Sequence, residues 1–128
     1  MITLAEFTTM ALVLPEVVQL PHFEKTSFRV NKQIFATLDL SKMHGVVKLS
    51  EIDQNVFSVY DPLAIYPVPN KWGKQGWTIC DLKIIQRDIL LDALRTSYCN
   101  VAPVRLVALV KNNLEIKAIV ESGIPNNL

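Results

Sequence analysis

Glycine is scarce in this chain, with four in 128 residues, and cysteine and histidine are scarcer still at two each. Two cysteines exclude a disulfide framework, and neither Cys80 nor Cys99 stands in a spacing that resembles a zinc or thiol-redox motif. Two buried, reduced thiols in a cytoplasmic protein are expected. No Gly-Lys-Ser/Thr closes a glycine loop ahead of a helix, and no nucleotide fingerprint, metal-ligand cluster, nucleophile motif or internal repeat occurs. Runs apolar and long enough to cross a bilayer are missing. The apolar residues of the N-terminus have no basic segment ahead of them, so they do not read as a secretory signal. A cytoplasmic location follows as an expectation. One sign of charge is also missing in excess, since the net charge is +1, which argues against a strongly basic nucleic-acid binder.

Apolar residues are plentiful. They make up half of the chain, and 128 residues suffice for one domain, 1–128, with a core that needs no covalent staples. The central stretch is Thr26 to Leu38, where β-branched and aromatic residues (Phe28, Val30, Ile34, Phe35, Thr37) flank Asn31-Lys32. This predicts a hairpin pivoting on Asn31, with Val30 facing Gln33, Arg29 facing Ile34 and Phe28 facing Phe35. Ahead of it, Thr3 and Glu6 have capping-box spacing. Leu4, Phe7, Ala11 and Leu12 then form a helical stripe that Pro15 terminates. Behind it, Asp39–Gly45 reads as an exposed loop containing His44, and 46–49 as a third strand. Ser50 caps a helix over Glu51–Tyr60, whose Ile52, Val56, Val59 and Tyr60 suit burial of one face. Prolines 62, 67 and 69 leave room for a short edge strand near 64–66. Residues 77–80 open another strand, in which Trp77 should be more buried than Trp72. Residues 81–85 complete that strand or lead into a helix from Arg87 to Val101, with Leu90, Leu94 and Tyr98 on its apolar stripe. Beyond Pro103, residues 105–110 and 114–120 can be read as a hairpin, and 123–128 should fray.

Taken in one frame, Leu14-Pro15-Glu16-Val17, Pro21-His22-Phe23-Glu24-Lys25, Ser27-Phe28-Arg29-Val30 and Ile34-Phe35-Ala36-Thr37-Leu38 resemble the MmcQ/YjbR family. Val47-Lys48-Leu49, Gly76-Trp77-Thr78-Ile79 and Ser97-Tyr98 keep that frame, so the resemblance covers about residues 3–111. It implies an α+β fold: a mostly antiparallel sheet with helices mainly on one face, similar to a double-wing DNA-binding domain. It also implies a short helix at about 103–111 and leaves an extension from about 112. Members are small bacterial proteins labelled DNA-binding, a label that is itself an analogy of fold.

Charge is segregated along the chain. Residues 25–48 carry Lys25, Arg29, Lys32, Lys42 and Lys48 against Asp39, and residues 71–87 carry Lys71, Lys74, Lys83 and Arg87 against Asp81. Residues 1–24 and 49–70 each hold three carboxylates and no Lys or Arg. The loop Asn70 to Trp77 combines two lysines, two tryptophans and two glycines, a composition suited to phosphates and ring faces. The leading expectation is therefore a weak, salt-dependent DNA-binding module with contacts at Arg29, Lys32, Lys48, Lys71, Trp72 and Lys74. The alternative is a protein-interaction or small-ligand module without catalysis. Scattered candidates for catalysis are His22, Glu24, His44, Cys80 and Asp81, and a pocket enclosed by His22 and Tyr66 would favour an enzyme. No cofactor, metal or membrane partner is expected, and the chain is expected to be a monomer.

Overall fold

Asn31 and Lys32 have φ of 51° and 67°, the left-handed pair that matches a two-residue turn to the twist of its strands. They join β2 (Lys25–Val30) to β3 (Gln33–Asp39). The register begins as expected, with Val30 opposite Gln33 and Arg29 opposite Ile34, but Phe28 then faces Ala36. Phe35 is the extra residue of a β-bulge, and both it and Ala36 are fully buried. The expected Phe28–Phe35 pair is thereby corrected. Phe28 packs on Phe7 with ring centroids 5.7 Å apart, and Phe35 meets Tyr98 edge-on at 5.6 Å.

The computed structural model describes residues 1–111. Preceding the hairpin are α1 (Leu4–Leu12) and β1 (Val18–His22). Following it are β4 (His44–Lys48), α2 (Glu51–Tyr60), β5 (Ile65–Pro67), α3 (Lys71–Lys74), β6 (Trp77–Asp81) and α4 (Arg87–Val101). A last helix, α5, covers 104–111, where the sequence offered a helix or a hairpin. The segment 114–122, the extension from about 112 and the fraying end lie outside the described residues.

The strands form one sheet in the order β1-β2-β3-β4-β6-β5, every neighbouring pair antiparallel. β4 is bonded to β6 from His44–Asp81 to Lys48–Trp77, which fuses the two hairpin regions into a continuous open sheet. The double-wing expectation is corrected accordingly. His44 belongs to β4 rather than to the loop before it, because Asp39 holds that turn: its Oδ1 accepts from the backbone N–H groups of Ser41 and Lys42 and from the Ser41 hydroxyl.

One face of the sheet carries the core. Phe28, Ala36, Val47 and Thr78 form one row on it, and Leu38, Gly45, Cys80 and Ile65 the next. α4 lies chiefly over β3 and β4, presenting Leu90, Ala93, Leu94, Ser97 and Tyr98, and the Tyr98 hydroxyl donates to the Pro15 carbonyl at 2.7 Å. α1 begins at the expected capping box, and its Phe7 lies directly against Gly45. Burying each such ring contributes about 1.5–3 kcal/mol. Two ion pairs tie the acidic N-terminal region to later helices, Glu6 to Arg87 and Glu16 to Arg105. Neither was legible in the charge pattern, whereas Asp92 and Arg95, three apart on α4 and at a spacing that favours pairing, form no ion pair among the described residues.

α2 has the predicted bounds and Ser50 cap but the opposite orientation. Ile52, Val56, Val59 and Tyr60 all face solvent, each at least 60% exposed. Its inward side carries Phe57, packed on the core, and Gln54, whose Nε2 donates to the Gly73 carbonyl at 2.9 Å and to the buried Thr78 hydroxyl at 3.0 Å. Those polar contacts set which side of the helix faces the sheet, so the expectation of a buried apolar stripe is corrected.

Three outcomes follow from this architecture. Lys32 pays roughly 1–2 kcal/mol for its left-handed backbone, and glycine there loses about 0.4–1 kcal/mol through the unfolded chain. Lys32→Gly should therefore raise stability by roughly 0.5 kcal/mol in urea unfolding. A Cβ at position 45 would sit 2.3 Å from the Phe7 ring. Gly45→Ala should lower the stability measured in the same way by about 1–3 kcal/mol, since the buried ring has nowhere to move. Finally, hydrogen bonds from Arg87 and Arg105 hold the Glu6 and Glu16 carboxyls below their usual 4.5. The stability they lend is complete above that value and is lost as pH falls through the lowered ones. A Glu6→Gln/Glu16→Gln variant should show a shallower decline of unfolding free energy on acidification than the parent chain.

Candidate functional site

Opposite the core, the sheet leaves a face that no long helix among the described residues covers. Alternation places Ser27 and Arg29 on it from β2, Thr37 and Asp39 from β3, His44, Val46 and Lys48 from β4, and Trp77, Ile79 and Asp81 from β6. α3 sits at one end of this face. Asn70 caps it, its Oδ1 accepting from the Trp72 N–H at 2.9 Å. Gly76 returns the chain to β6 with φ 105°, and its carbonyl accepts from the Leu49 N–H. A side chain at position 76 would start 2.0 Å from the Leu49 carbonyl oxygen, so this return requires glycine.

Between α3 and the β1–β2 end lies a groove of about 360 Å³. Thr37 and Val46 form its floor, Trp72 and Trp77 stand at the α3 end with Val68 and Asn70, and His22 and Lys25 occupy the far end. Trp77 is half-buried and Trp72 exposed, the order expected. The Lys48 ammonium lies 5.6 Å from the centre of the Trp77 ring and that of Lys71 5.5 Å from the centre of Trp72, so cations brace both rings. No carboxylate lines the groove among the described residues. The nearest anion by strand register, Asp39, is turned into its own loop. Burial pushes its carboxyl upward, but hydrogen bonds from Ser41 and Lys42, together with the charge of Lys25, outweigh that and hold it below the usual range.

The six proposed contact residues are not gathered at one point. Trp72 lines the groove. Lys48 and Lys71 lean on the rings just described. Arg29 is half-buried on the open face and donates through Nε to the Ser27 hydroxyl at 3.0 Å. Lys32 is at the hairpin tip and Lys74 at the end of α3, both exposed. Lys25, Thr37 and Val46 were missed. Period-two alternation from the Asn31-Lys32 turn puts Lys25 and Arg29 on one face, so Lys25 was within reach of the sequence. Thr37 required the bulge, and Val46 required the pairing of β4 with β3.

The candidates for catalysis are dispersed. His22 reaches the groove and packs edge-on against Phe23, but Tyr66 does not line the groove, so the enclosure that would favour an enzyme is not formed. Glu24 is exposed in the β1–β2 turn. His44 lies across from both Asp39 and Asp81, yet Asp81 Oδ1 accepts from the Lys83 N–H at 3.0 Å, so both carboxylates serve turns. Cys80 is on the core face, fully buried, and burial pushes its thiol up to about 12, where it stays protonated at neutral pH. Cys80 and Cys99 are both free thiols, Cys99 only partly buried. No group of three or more His, Cys, Asp or Glu suited to a metal ion occurs among the described residues. Nor is any helix among them long and apolar enough to cross a membrane.

Scanning family models gives no match to the chain. Nor does any curated protein match it. A solved structure does: the crystal structure of Deinococcus radiodurans protein DR2400, with family-model domain DUF419, superposes with a TM-score of 0.69 at 21% identity over 79% of each chain. That likeness is one of fold. The MmcQ/YjbR assignment is corrected by these findings, since the family scan does not return it and the structural match is described as DUF419. With the assignment goes the family label that made DNA the leading expectation. The chain is a mixed α+β domain with an open antiparallel sheet, similar in fold to that DUF419 structure.

Proposed function

We propose that the chain is a small-ligand binding module without catalysis, taking a compact anion that carries a flat ring in the groove on the open sheet face. One observation carries the reading: Trp72 and Trp77 flank a groove of about 360 Å³ whose charged lining is Lys25, with His22 beside it and no carboxylate among the described residues. That volume suits a small molecule. The indoles offer ring faces for stacking and apolar contact. Lys25 offers a charge-assisted hydrogen bond at the far end, while the Thr37 hydroxyl on the floor can orient a polar edge. The dispersal of Glu24, His44, Asp81 and Cys80 supports binding in preference to chemistry.

Both tryptophans of the chain line the groove, so intrinsic fluorescence reads the site directly. Titration with benzoate and with adenosine monophosphate should change the emission saturably. The uncharged counterparts, benzyl alcohol and adenosine, should bind about tenfold more weakly, the equivalent of one lost charge-assisted contact. Lys25→Ala, an exposed position, should remove most of that preference for the anion. No saturable change with any of the four compounds overturns the reading, as does equal response to charged and uncharged members in the parent chain.

A further inference from the structure

The apolar stripe of α2 is turned outward next to a second, separate groove. Ile52, Val56, Val59 and Tyr60 are 60–77% exposed, and Leu63, just past the helix, is 79% exposed. Solvent-facing apolar side chains are ordinary when scattered, but four on one stripe of a ten-residue helix form a patch. The helix is nevertheless fixed in place from its other side, through Phe57 and the Gln54 hydrogen bonds to Gly73 and Thr78. Rotating the stripe inward would break those bonds and leave the Thr78 hydroxyl without its donor. The patch is therefore a settled feature of the fold.

Between α2 and the start of α4 the stripe continues into a groove of about 480 Å³, with Val56, Phe57, Tyr60 and Ile89 as its apolar wall and Asp88 and Asp92 along its edge. Further carboxylates stand at the two ends of α2. Glu51 and Asp53 stand in the first turn of α2 and Asp61 caps its end. Residues 49–70 contain no Lys or Arg at all. Arg87 is engaged by Glu6, which leaves the half-buried Arg95, a turn beyond Asp92, as the cation on this side of α4.

We propose that this groove is a docking site for a cationic amphipathic helix of another protein. Apolar side chains at i, i+3, i+4 and i+7 of such a helix match a wall built from α2 and α4, and flanking lysines or arginines meet Asp88 and Asp92. Charge decides among occupants. A second copy related by a two-fold axis would set its own Glu51, Asp53 and Asp61 near the same carboxylates, which repel. The chain's own residues 112–128 carry Lys117 against Glu115 and Glu121 and have no net positive charge to offer.

The test uses the full chain and a labelled peptide of leucine and lysine, with the leucines at helical spacing, read by fluorescence anisotropy. A matched peptide with glutamate in place of lysine is the control. Binding of the lysine peptide alone is expected, weakening with salt. Val56→Ser/Tyr60→Ser should weaken it at least tenfold, as for a pair of central apolar anchors. Asp88→Asn/Asp92→Asn should weaken it about fivefold and flatten the salt dependence. All four positions are outside the tryptophan groove, so the fluorescence response to benzoate should persist in both variants and report that they are folded. No binding of the lysine peptide overturns the proposal, as does equal binding of the glutamate peptide or retention of affinity in both variants. Sedimentation showing a dimer that Val56→Ser/Tyr60→Ser dissociates would assign the face to a second copy instead. Nuclear Overhauser contacts between residues 112–128 and Val56 or Tyr60 in the free chain would assign it to the chain's own tail.

Discussion

One extra residue in β3 determines what each face of the sheet carries. With strict alternation from the turn, Phe35 would have paired with Phe28 on the core face, Ala36 would have pointed away from the helices and Thr37 toward them. The bulge opposite Phe28 keeps Phe35 inward, where it meets Tyr98 edge-on, and turns Ala36 inward beside it. Tyr98 in turn closes the N-terminal turn by donating to Pro15, and Ser97, its neighbour on α4, donates to the Phe35 carbonyl that the bulge exposes. α4 is thus fastened to the sheet at the point where the ladder is broken. The same local kink keeps Leu38 off the other face and puts Thr37 there as a small floor residue, which is why a groove exists there.

The two proposed sites share a cause. A sheet covered by helices on one side has an uncovered side, and here, among the described residues, that side acquires a partial wall only at α3. The covering layer is itself incomplete: α2 sits over the β5 edge with its polar side inward, so its apolar side has nothing to cover. Tryptophan rings and lysines line the first surface, carboxylates the second. A net charge near zero therefore conceals two surfaces of opposite sign.

Sequence carried the elements more fully than their arrangement. Thr3, Ser50 and the prolines mark helix starts and stops through local backbone chemistry, so α1, α2 and α4 appear where spacing placed them. The turn at Asn31-Lys32 was legible for the same reason. What failed depended on partners distant in the chain. The inward side of α2 is chosen by groups 19 and 24 residues beyond Gln54. Helical periodicity reveals that such a face exists but not which way it points. The groove was half legible: its tryptophans stand in a conspicuous loop, whereas Lys25 and Thr37 become neighbours of Trp77 only once β4 is inserted between β3 and β6. The basic residues are partly gathered: Arg29 and Lys48 share the open face, whereas Lys32 is at the hairpin tip and Lys74 at the end of α3.

The bonds that hold the N-terminal region span most of the chain: Glu6 to Arg87 across 81 positions, Pro15 to Tyr98 across 83, Glu16 to Arg105 across 89. A ribosome delivers these partners far apart in time. While the β2–β3 hairpin can close as soon as it emerges, α1 leaves the exit tunnel with Phe7 and Ala11 uncovered and waits through the synthesis of nearly every other element for α4. Vectorial synthesis therefore leaves α1 exposed to misassociation for longer than the elements that follow it, until α4 arrives to complete its cover.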